Sequence, residues 1–405
     1  HGDDRGLPAF PPLRSSELGV TVMPGGGGNR LSLGNVARSP GIALDTTELN
    51  QPMSINSADL TATFEAGMAL ADVQTALAQN NQFLAMDSAL SERATIGGIL
   101  ASGASVPLKW HFGNPRDLVI GMKVVQPDGT ITKSGGQVVK NVSGYDMARL
   151  HIGGLGTLGV IAEVSFKLTP KPAGERTVIA AFENTKSCGD AALSVFNGQV
   201  MPLALTTFDS RVSSESEMRD LTGEQFLAVR LGGRPRALER LTDETVRTSR
   251  RHGASKVETL DGDAALDLWK NIADFGWTGE SLPEVVIRTS LVPNRVQTFI
   301  DTINSSSNGM TASSVASPCY GHVMVFWRSL SGAELLNNSR AVIQATRTLA
   351  GKLEGSAIIE RCPVELKSEL DVWGEVGDAI EIMRRMKQQY DPNGILNPGR
   401  FIGRI

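Results

Sequence analysis

The chain has 405 residues, with 39 Lys and Arg against 43 Asp and Glu, so its formal net charge is −4. Proteins that bind nucleic acid normally carry a basic excess or a basic stripe, so this charge balance argues against that class. Hydrophobic residues make up 41%, too many for a disordered chain, and the length suggests two or three domains. Glycine is unusually common at 43 of 405 residues, roughly 11% against about 7% in an average protein.

The segment up to residue 172 has the pattern of short strands with few helices. Apolar residues spaced 3.6 apart predict a helix over 69–79, and a shorter helix is expected over 145–151. Pro127, Asp128 and Gly129 predict a hairpin turn, because Pro fixes φ and Gly permits a positive φ. The predicted strands are 19–23, 42–44, 60–64, 122–125, 130–132 and 160–168.

The composition changes at Pro170 and Pro172. Two prolines two residues apart stop both helices and strands, so we predict a domain boundary here. From 173 to 385 glycine becomes rarer and predicted helices (236–252, 333–351) alternate with predicted strands (225–231, 284–292), which indicates an α+β second domain. A helix near 380–389 leads into a turn-rich C-terminal segment, 386–405.

The first predicted strand is followed by a glycine loop. Its residues are Gly25, Gly26, Gly27, Gly28, Asn29 and Arg30. Four glycines in a row cost conformational entropy on folding. Such a loop turns several backbone N–H groups toward one point, which suits a phosphate or pyrophosphate, and Arg30 would add charge. A flexible surface loop is the alternative, and the loop alone does not decide between the two.

A second cluster of small residues occupies 94–103. It contains Thr95, Ile96, Gly97, Gly98, Ser102 and Gly103. Small side chains allow another backbone or a flat ligand to approach closely, and the Thr95 and Ser102 hydroxyls can donate hydrogen bonds. A tightly packed helix start is the alternative interpretation.

A third glycine cluster formally satisfies the dinucleotide fingerprint G-x-G-x-x-G at Gly154, Gly156 and Gly159. That fingerprint must follow a strand and open a helix, whereas here a helix-like segment precedes it and a strand follows. We therefore reject a nicotinamide-binding Rossmann site. The chain also lacks a G-x-x-x-x-G-K-[ST] phosphate loop.

Side chains that bind metals are sparse. Cys188, Cys319 and Cys362 form no CxxC pair and the five histidines show no paired ligand spacing, so no metal site is predicted. His322 is a weak candidate for catalysis. The odd, sparse cysteine count indicates a reducing compartment, and we expect a cytoplasmic protein. No stretch approaches the ~18 apolar residues of a spanning helix, so no transmembrane segment is expected; the start at His1 leaves open what precedes it.

Three of these segments together resemble one flavoprotein family. The glycine loop, Thr-Ile-Gly-Gly at 95–98 and the segment at 156–161 are similar to FAD-binding flavoproteins of the vanillyl-alcohol oxidase and p-cresol methylhydroxylase type. The tail over 391–400 resembles the closing segment of that family. Within the family, the motifs at 113–117 and 135–146 resemble the FAD-binding subunits of bacterial glycolate oxidases.

The resemblance implies an α+β fold with FAD as its cofactor. It implies a two-subdomain FAD-binding domain over 1–172, an α+β cap or substrate domain over 173–385, and a tail, 386–405, that packs back on the FAD-binding domain. Some members attach FAD covalently to a histidine in the glycine loop; this loop has none, so non-covalent FAD is predicted. The residues implied to bind FAD are Gly25, Gly26, Gly27, Gly28, Asn29, Arg30, Thr95, Ile96, Gly97, Gly98, Ser102, Gly103, Gly113, Val160, Ile161 and Asn397.

One segment departs from the family pattern. D-2-hydroxy-acid dehydrogenases of this fold resemble one another in Gly-His-x-x-Asp-Gly-Asn-x-His, whose two histidines lie near a divalent metal and the substrate hydroxyl. Gly321 and His322 align with its start, but Val325 and Ser329 then occupy the places of the acid and the second histidine. Neither residue supplies a base or a metal ligand. The chain therefore resembles a flavin-holding partner more than a self-sufficient dehydrogenase.

The function that the resemblance implies is an FAD-binding oxidoreductase subunit of a glycolate (2-hydroxy-acid) oxidase complex. Such a subunit works beside a larger flavin subunit and an iron–sulfur subunit, and these partners would hold it peripherally at the inner membrane. Two alternatives stay open. One is a stand-alone FAD oxidase of another alcohol or hydroxy acid, and the other is a non-catalytic assembly subunit that has kept the fold.

Overall fold

The computed structural model describes residues 19–39, 41–103, 107–137, 145–215, 222–279, 281–306, 309–330 and 334–405. Three parts of the sequence interpretation lie outside these residues: the first 18 residues of the predicted FAD-binding domain, 138–144 of the 135–146 motif, and Ala333 at the start of a predicted helix. Within the described ranges, no helix combines the length and the hydropathy needed to span a bilayer.

Short strands and helices make up the first part of the chain. The elements are β1 (Val22–Gly25), β2 (Ile42–Asp45), β3 (Pro52–Asn56), β4 (Thr61–Glu65), α1 (Leu70–Ala78), β5 (Gln82–Phe83), α2 (Ile96–Ser102), α3 (Lys109–Phe112), α4 (Pro115–Leu118), β6 (Val119–Val125), β7 (Ile131–Gly135), α5 (Ala148–His151), β8 (Val160–Lys167) and β9 (Thr169–Pro170). β1 and β2 form a parallel pair, and β5 and β9 an antiparallel pair.

The main sheet of this part has five antiparallel strands in the order β3-β4-β8-β6-β7. Apolar side chains of the sheet and of α1 form one core, in which Phe64, Val73, Leu77 and Phe166 are fully buried. The predicted hairpin is confirmed between β6 and β7: Gly129 has a φ of 86°, a backbone conformation that glycine adopts without strain.

The second part of the chain contains longer helices and strands. The elements are β10 (Gly174–Phe182), α6 (Thr185–Asn197), β11 (Ala204–Asp209), α7 (Ser210–Glu215), β12 (Gln225–Gly233), α8 (Pro235–Arg251), β13 (Lys256–Leu260), α9 (Gly262–Asp274), β14 (Val285–Ser290), α10 (Val296–Asn304), β15 (Met310–Ser317), β16 (His322–Ser329), α11 (Leu335–Lys352), β17 (Ser356–Arg361), α12 (Leu366–Glu369) and α13 (Ile380–Tyr390). Short 3₁₀ helices occur at Pro293–Arg295, Pro318–Tyr320 and Ile402–Arg404.

An eight-stranded antiparallel sheet organises this part, in the order β13-β10-β12-β11-β15-β16-β14-β17. Alternate residues along a strand point to opposite faces of a sheet. On β16, Val325 and Trp327 pack with Val342 of α11, whereas Phe326 packs with Ile272 of α9. The face toward α9 is the one that carries the second cavity described below.

The C-terminal tail returns to the first strand. The Val22 N–H donates to the Ile395 carbonyl at 2.7 Å, and the Asn397 N–H donates to the Val22 carbonyl at 3.0 Å. The buried Lys387 ammonium donates to the Asp391 carboxylate at 2.6 Å and to the Thr157 carbonyl at 2.7 Å. Through these contacts the tail packs against the first strand. The domain boundaries at 172 and 385 stay predictions.

Most predicted elements are observed within a few residues, but two differ in an informative way. The first strand is observed at Val22–Gly25 and not from residue 19, where Gly19 adopts a φ of 65° outside the extended region. The predicted strand over 160–168 alternates apolar residues at 160, 162, 164, 166 and 168, a pattern typical of a strand that buries one face. Both faces of β8 are buried, because Glu163 pairs with Lys123 at 2.9 Å and Ser165 bonds to Thr63 at 2.8 Å.

Candidate functional site

The glycine loop packs its backbone directly against the segment that precedes α2. A Cβ on Gly26 would lie 2.1 Å from the Thr95 Oγ1, and one on Gly27 would lie 1.6 Å from the Arg93 carbonyl oxygen, so neither position accepts a side chain. The backbone N–H groups of Gly26, Gly27 and Gly28 donate to none of the described residues. Three consecutive unpaired donors are available to an anion.

Helix α2 brings the second cluster to the same cavity. The Thr95 hydroxyl caps the helix by accepting from the Gly98 N–H at 3.2 Å, and the Ser102 hydroxyl donates to the Gly98 carbonyl at 2.8 Å. A Cβ on Gly97 would lie 2.9 Å from atoms of Ala66. The two interpretations of the cluster are therefore compatible: the helix start is tightly packed, and Thr95, Gly98 and Ser102 also line the cavity.

The tail closes the cavity with Asn397 and Arg400. Asn397 is 1% exposed; its Nδ2 donates to the Leu155 carbonyl at 2.6 Å, and its Oδ1 accepts from none of the described residues. The Arg400 guanidinium donates to the carbonyls of Leu31 at 2.8 Å and Leu33 at 2.5 Å. Arg400 therefore fixes the chain just after the glycine loop, and Asn397 presents an unsatisfied acceptor.

These features fit a dinucleotide. The cavity contains about 630 Å³, including its open mouth, which lies within the range of ligand pockets. The glycine-loop N–H groups suit a pyrophosphate, and the Asn397 Oδ1 suits a ring N–H. No histidine or cysteine belongs to the described lining. Non-covalent attachment stays a prediction.

The structure brings ten of the sixteen predicted residues to this cavity. Its lining contains Gly25, Gly26, Gly27, Gly28, Asn29, Arg30, Thr95, Gly98, Ser102 and Asn397.

The other six predicted residues lie nearby, outside the lining. Ile96 and Gly97 face the core, Gly103 ends α2, Gly113 ends α3 beside the Asp117 side chain, and Val160 and Ile161 are buried in β8. Their contact with the cofactor stays a prediction.

A second cavity, of about 640 Å³ with its mouth, shares Arg30 with the first. The Arg30 guanidinium binds the Glu360 carboxylate and lies 4.0 Å above the Trp277 ring. The other Glu360 oxygen accepts from Arg288 Nε at 2.7 Å. Burial opposes ionisation of Glu360, but the charges of Arg30 and Arg288 outweigh it and lower the pKa of this carboxyl group. Arg30 therefore directs its charge to the second cavity, although it was expected beside the pyrophosphate.

Lys109 and His322 are the other titratable groups of the second cavity. The Lys109 ammonium lies 3.9 Å above the Trp110 ring, and within the described ranges no carboxylate is at ion-pair distance from it. Burial and the charge of Arg288 lower the pKa of Lys109 to about 8. The His322 Nε2 bonds to no described residue. Burial, with the charges of Lys109 and Arg288, lowers its pKa to about 3, so His322 is neutral at pH 7.

Strand geometry places Val325 on the face of β16 opposite the second cavity. His322, Met324 and Phe326 line the second cavity, whereas Val325 is fully buried on the opposite face. An acid at position 325 of this strand would therefore point away from the cavity. Among the residues that the structure describes, no group of three His, Cys, Asp or Glu is placed to hold a metal ion.

Sequence reasoning missed the residues that give the second cavity its charge. Arg288 interrupts the apolar strand β14, and Glu360 lies near the end of the apolar strand β17. Charged residues are almost never fully buried unless they are paired. An arginine inside the predicted strand 284–292 was therefore a usable signal, although the sequence does not show that Arg288 meets Glu360.

Comparison with known proteins supports the same cofactor. Residues 14–135 match the family described as FAD binding domain, and residues 373–401 match the C-terminal domain of FAD linked oxidases. The chain is 26% identical over 408 residues to "Glycolate oxidase subunit GlcD" of Bacillus subtilis, covering 96% of this chain and 85% of that protein. The chain is an FAD-dependent oxidoreductase, similar in sequence to proteins named for glycolate oxidase and D-lactate dehydrogenase. Its cofactor is FAD.

This FAD-linked oxidoreductase has further relatives. It is 25% identical to a mitochondrial "D-lactate dehydrogenase [cytochrome]" of Arabidopsis thaliana, over 96% of this chain and 70% of that protein. The structure of p-cresol methylhydroxylase with substrate bound superposes with a TM-score of 0.73 at 15% identity, covering 95% of this chain and 85% of that one. The fold class expected from the sequence is confirmed.

Proposed function

We propose that the chain is the FAD-binding subunit of an oxidase complex that converts a small 2-hydroxy monocarboxylate, glycolate first among the candidates, to the 2-oxo acid. In this proposal it works beside a larger flavin subunit and an iron–sulfur subunit, which hold it at the inner membrane. The likeness to GlcD, whose name describes a subunit of glycolate oxidase, supports membership of a complex.

The observation that carries the substrate class is the charge of the second cavity. Arg30 and Arg288 share one carboxylate, that of Glu360, so the three groups together keep one positive charge. Lys109 adds a second positive charge; no described carboxylate lies at ion-pair distance from it, although the Asp87 carboxyl group acts on it electrostatically. This excess of positive charge suits the carboxylate of a 2-hydroxy acid, and Lys109, whose ammonium is not engaged by Glu360, suits the single carboxylate of a small monocarboxylate.

The residues of the second cavity suit the oxidation of a hydroxy acid. When bound, FAD supplies the acceptor for the hydride that leaves the substrate carbon. Lys109 binds the substrate carboxylate, and the neutral His322 accepts the hydroxyl proton at Nε2. A bound carboxylate offsets the charges of Lys109 and Arg288, so it raises the pKa of His322 and makes this histidine a stronger base in the complex.

Anaerobic mixing tests the proposal. The FAD-loaded chain, alone and with the two partner subunits, is mixed with glycolate, D-lactate or D-2-hydroxyglutarate while the flavin absorbance is followed. We expect glycolate and D-lactate to bleach the flavin absorbance, and D-2-hydroxyglutarate to bleach it much more slowly. We expect His322→Gln to slow bleaching by about 100-fold or more with FAD content unchanged, the size of a lost general base.

The same experiment separates the alternatives. Rapid oxygen consumption by the isolated chain indicates a stand-alone oxidase. Turnover of the complex that survives removal of FAD from this chain indicates an assembly subunit. No bleaching by any 2-hydroxy acid, with or without partners, refutes the proposed substrate class.

A further inference from the structure

Helix α3 extends from the first part of the chain to the second cavity and contributes Lys109 and Trp110 to its lining. None of the four residues of this helix is buried. The helix ends at Gly113, whose φ of 98° lies outside the helical region. A single turn without a buried side chain has little stability of its own, so side-chain contacts to other elements decide where it lies.

One of these contacts is a stack of two aromatic rings from different parts of the chain. The Trp110 ring lies parallel to the Tyr320 ring, with the centroids 4.1 Å apart and 4° between the ring planes. The Phe196 ring packs edge-on against Tyr320, with the centroids 5.1 Å apart. Tyr320 ends the 3₁₀ helix Pro318–Tyr320, two residues before His322. The stack therefore joins α3 to the turn at which β16 begins.

The Trp110 ring also contacts the Lys109 ammonium. The Lys109 Nζ lies 3.9 Å from the centre of this ring, which is a cation–π contact. The centroids of the Trp110 and His322 rings are 6.3 Å apart. One indole ring therefore lies beside both the group proposed to bind the substrate carboxylate and the group proposed to accept the hydroxyl proton. Because Tyr320 fixes this indole ring, it also sets where the ammonium lies relative to the imidazole.

Two other contacts attach α3 through different side chains. The Phe112 ring packs edge-on against the Phe83 ring, with the centroids 5.4 Å apart. The His111 Nδ1 bonds to the Pro202 carbonyl oxygen at 3.1 Å. Loss of the Tyr320 ring therefore leaves α3 attached, but it removes the contact that holds the indole ring in the second cavity.

We infer that Tyr320 is a positioning residue of the enzyme: its ring holds Trp110, and through Trp110 the Lys109 ammonium, in the second cavity. The inference rests on the proposed function for the role of Lys109, and it adds a residue outside the described lining of the first and second cavities. The ring and not the hydroxyl carries this role, because the hydroxyl donates to the Trp110 carbonyl only at 3.5 Å, which is long for a hydrogen bond.

The pKa of Lys109 reports the position of its ammonium without any hydroxy acid. Burial and the charge of Arg288 lower this pKa to about 8, so an ammonium released to solvent should return toward its ordinary pKa of 10.5. The FAD-loaded protein is acetylated at a series of pH values, and mass spectrometry of the peptide that contains Lys109 follows the labelling. We expect the pKa of Lys109 to rise to about 9 or higher in Tyr320→Leu. It should stay near 8 in Tyr320→Phe, which keeps the ring.

Glycolate binding and turnover supply the second measurement. The interaction of a stacked aromatic pair corresponds to a factor of about 2–12 in an equilibrium constant. The glycolate Kd, measured from the change in flavin absorbance, and the glycolate KM should therefore rise about 2–12-fold in Tyr320→Leu. The kcat should change less than about twofold, because Lys109 binds the carboxylate equally in the ground state and the transition state. Tyr320→Phe should restore both the Kd and the KM.

Two further variants complete the test. Phe401→Leu removes a half-buried ring that packs on Trp373, outside the described lining of both cavities, and should leave the pKa of Lys109 and the glycolate KM unchanged. Phe196→Leu removes the ring that supports Tyr320 and should act in the same direction as Tyr320→Leu. A Lys109 pKa that stays near 8 in Tyr320→Leu overturns the inference, and Phe196→Leu takes its place if Tyr320→Leu does not retain FAD. A raised pKa with an unchanged glycolate Kd supports the positioning role and refutes the proposed binding of the substrate by Lys109.

Discussion

Glu360→Gln removes the charge that holds the glycine loop to strand β17 in the second part of the chain. Glu360 lies 330 residues from Arg30 in sequence, yet its carboxylate binds Arg30 and Arg288 at once, and its side chain is only 7% exposed. A glutamine has one side-chain oxygen, which accepts from one of the two guanidiniums. Its NH₂ group then faces the other guanidinium, which is also a donor. The substitution therefore leaves two largely buried positive charges without a counter-ion.

The expected loss is about 3–5 kcal/mol in the free energy of unfolding, the usual cost of removing one partner from a buried ion pair. The measurement is urea denaturation at pH 7 with the same free FAD concentration for every variant, because bound FAD itself stabilises the folded state. Glu369→Gln is the matched control: Glu369 pairs with Arg340 at 2.7 Å, but its side chain is 51% exposed, so the loss should be about 0–1 kcal/mol.

The pH dependence supplies a second check. The pKa of Glu360 is lower in the folded protein than its ordinary value of 4.5. The contribution of Glu360 to the free energy of unfolding is therefore fully present above about pH 4.5. It disappears as the pH falls through the pKa of Glu360 in the folded protein. The difference between wild type and Glu360→Gln should shrink in that acid range. A loss at pH 7 no larger than that of Glu369→Gln would refute the reasoning.

Four further predictions address the cofactor, the substrate and the tail. In Gly27→Ala the new Cβ would lie 1.6 Å from the Arg93 carbonyl oxygen, so the loop must move, and we expect at least a tenfold weaker FAD affinity by equilibrium titration. Acid precipitation should release all the flavin into the supernatant; flavin that stays with the protein contradicts non-covalent attachment. Lys109→Met should weaken glycolate binding roughly 10–100-fold, the size of one charged hydrogen bond. In the wild type this affinity should fall above about pH 8, where Lys109 loses its proton, and the fall should be absent from the variant. Lys387→Met leaves Asp391, which is 0% exposed, without its cation, and should cost about 3–5 kcal/mol in urea denaturation.

The sequence by itself determined most of the local structure, and the resemblance of its glycine-rich segments to one flavoprotein family implied the cofactor. Glycine loops, hairpin turns and helix periodicity depend on residues that are close along the chain, so their signals are readable without a fold. The Gly154–Gly159 cluster shows the same: α5 precedes it and β8 follows it, which is the order of elements that the local sequence predicted. Ten of the predicted cofactor residues line one cavity because they belong to three such local segments.

Only the tertiary structure decided which residues form the second cavity. Arg30, Arg288 and Glu360 lie on the glycine loop, β14 and β17, and no local pattern shows that they meet. The sequence shows Val325 and Ser329 in the places of the acid and the second histidine, but only the structure shows that Val325 faces the opposite side of β16 from His322. The chemistry of the second cavity depends on which charges become buried together. Burial and pairing are properties of the packed sheet and not of any single segment.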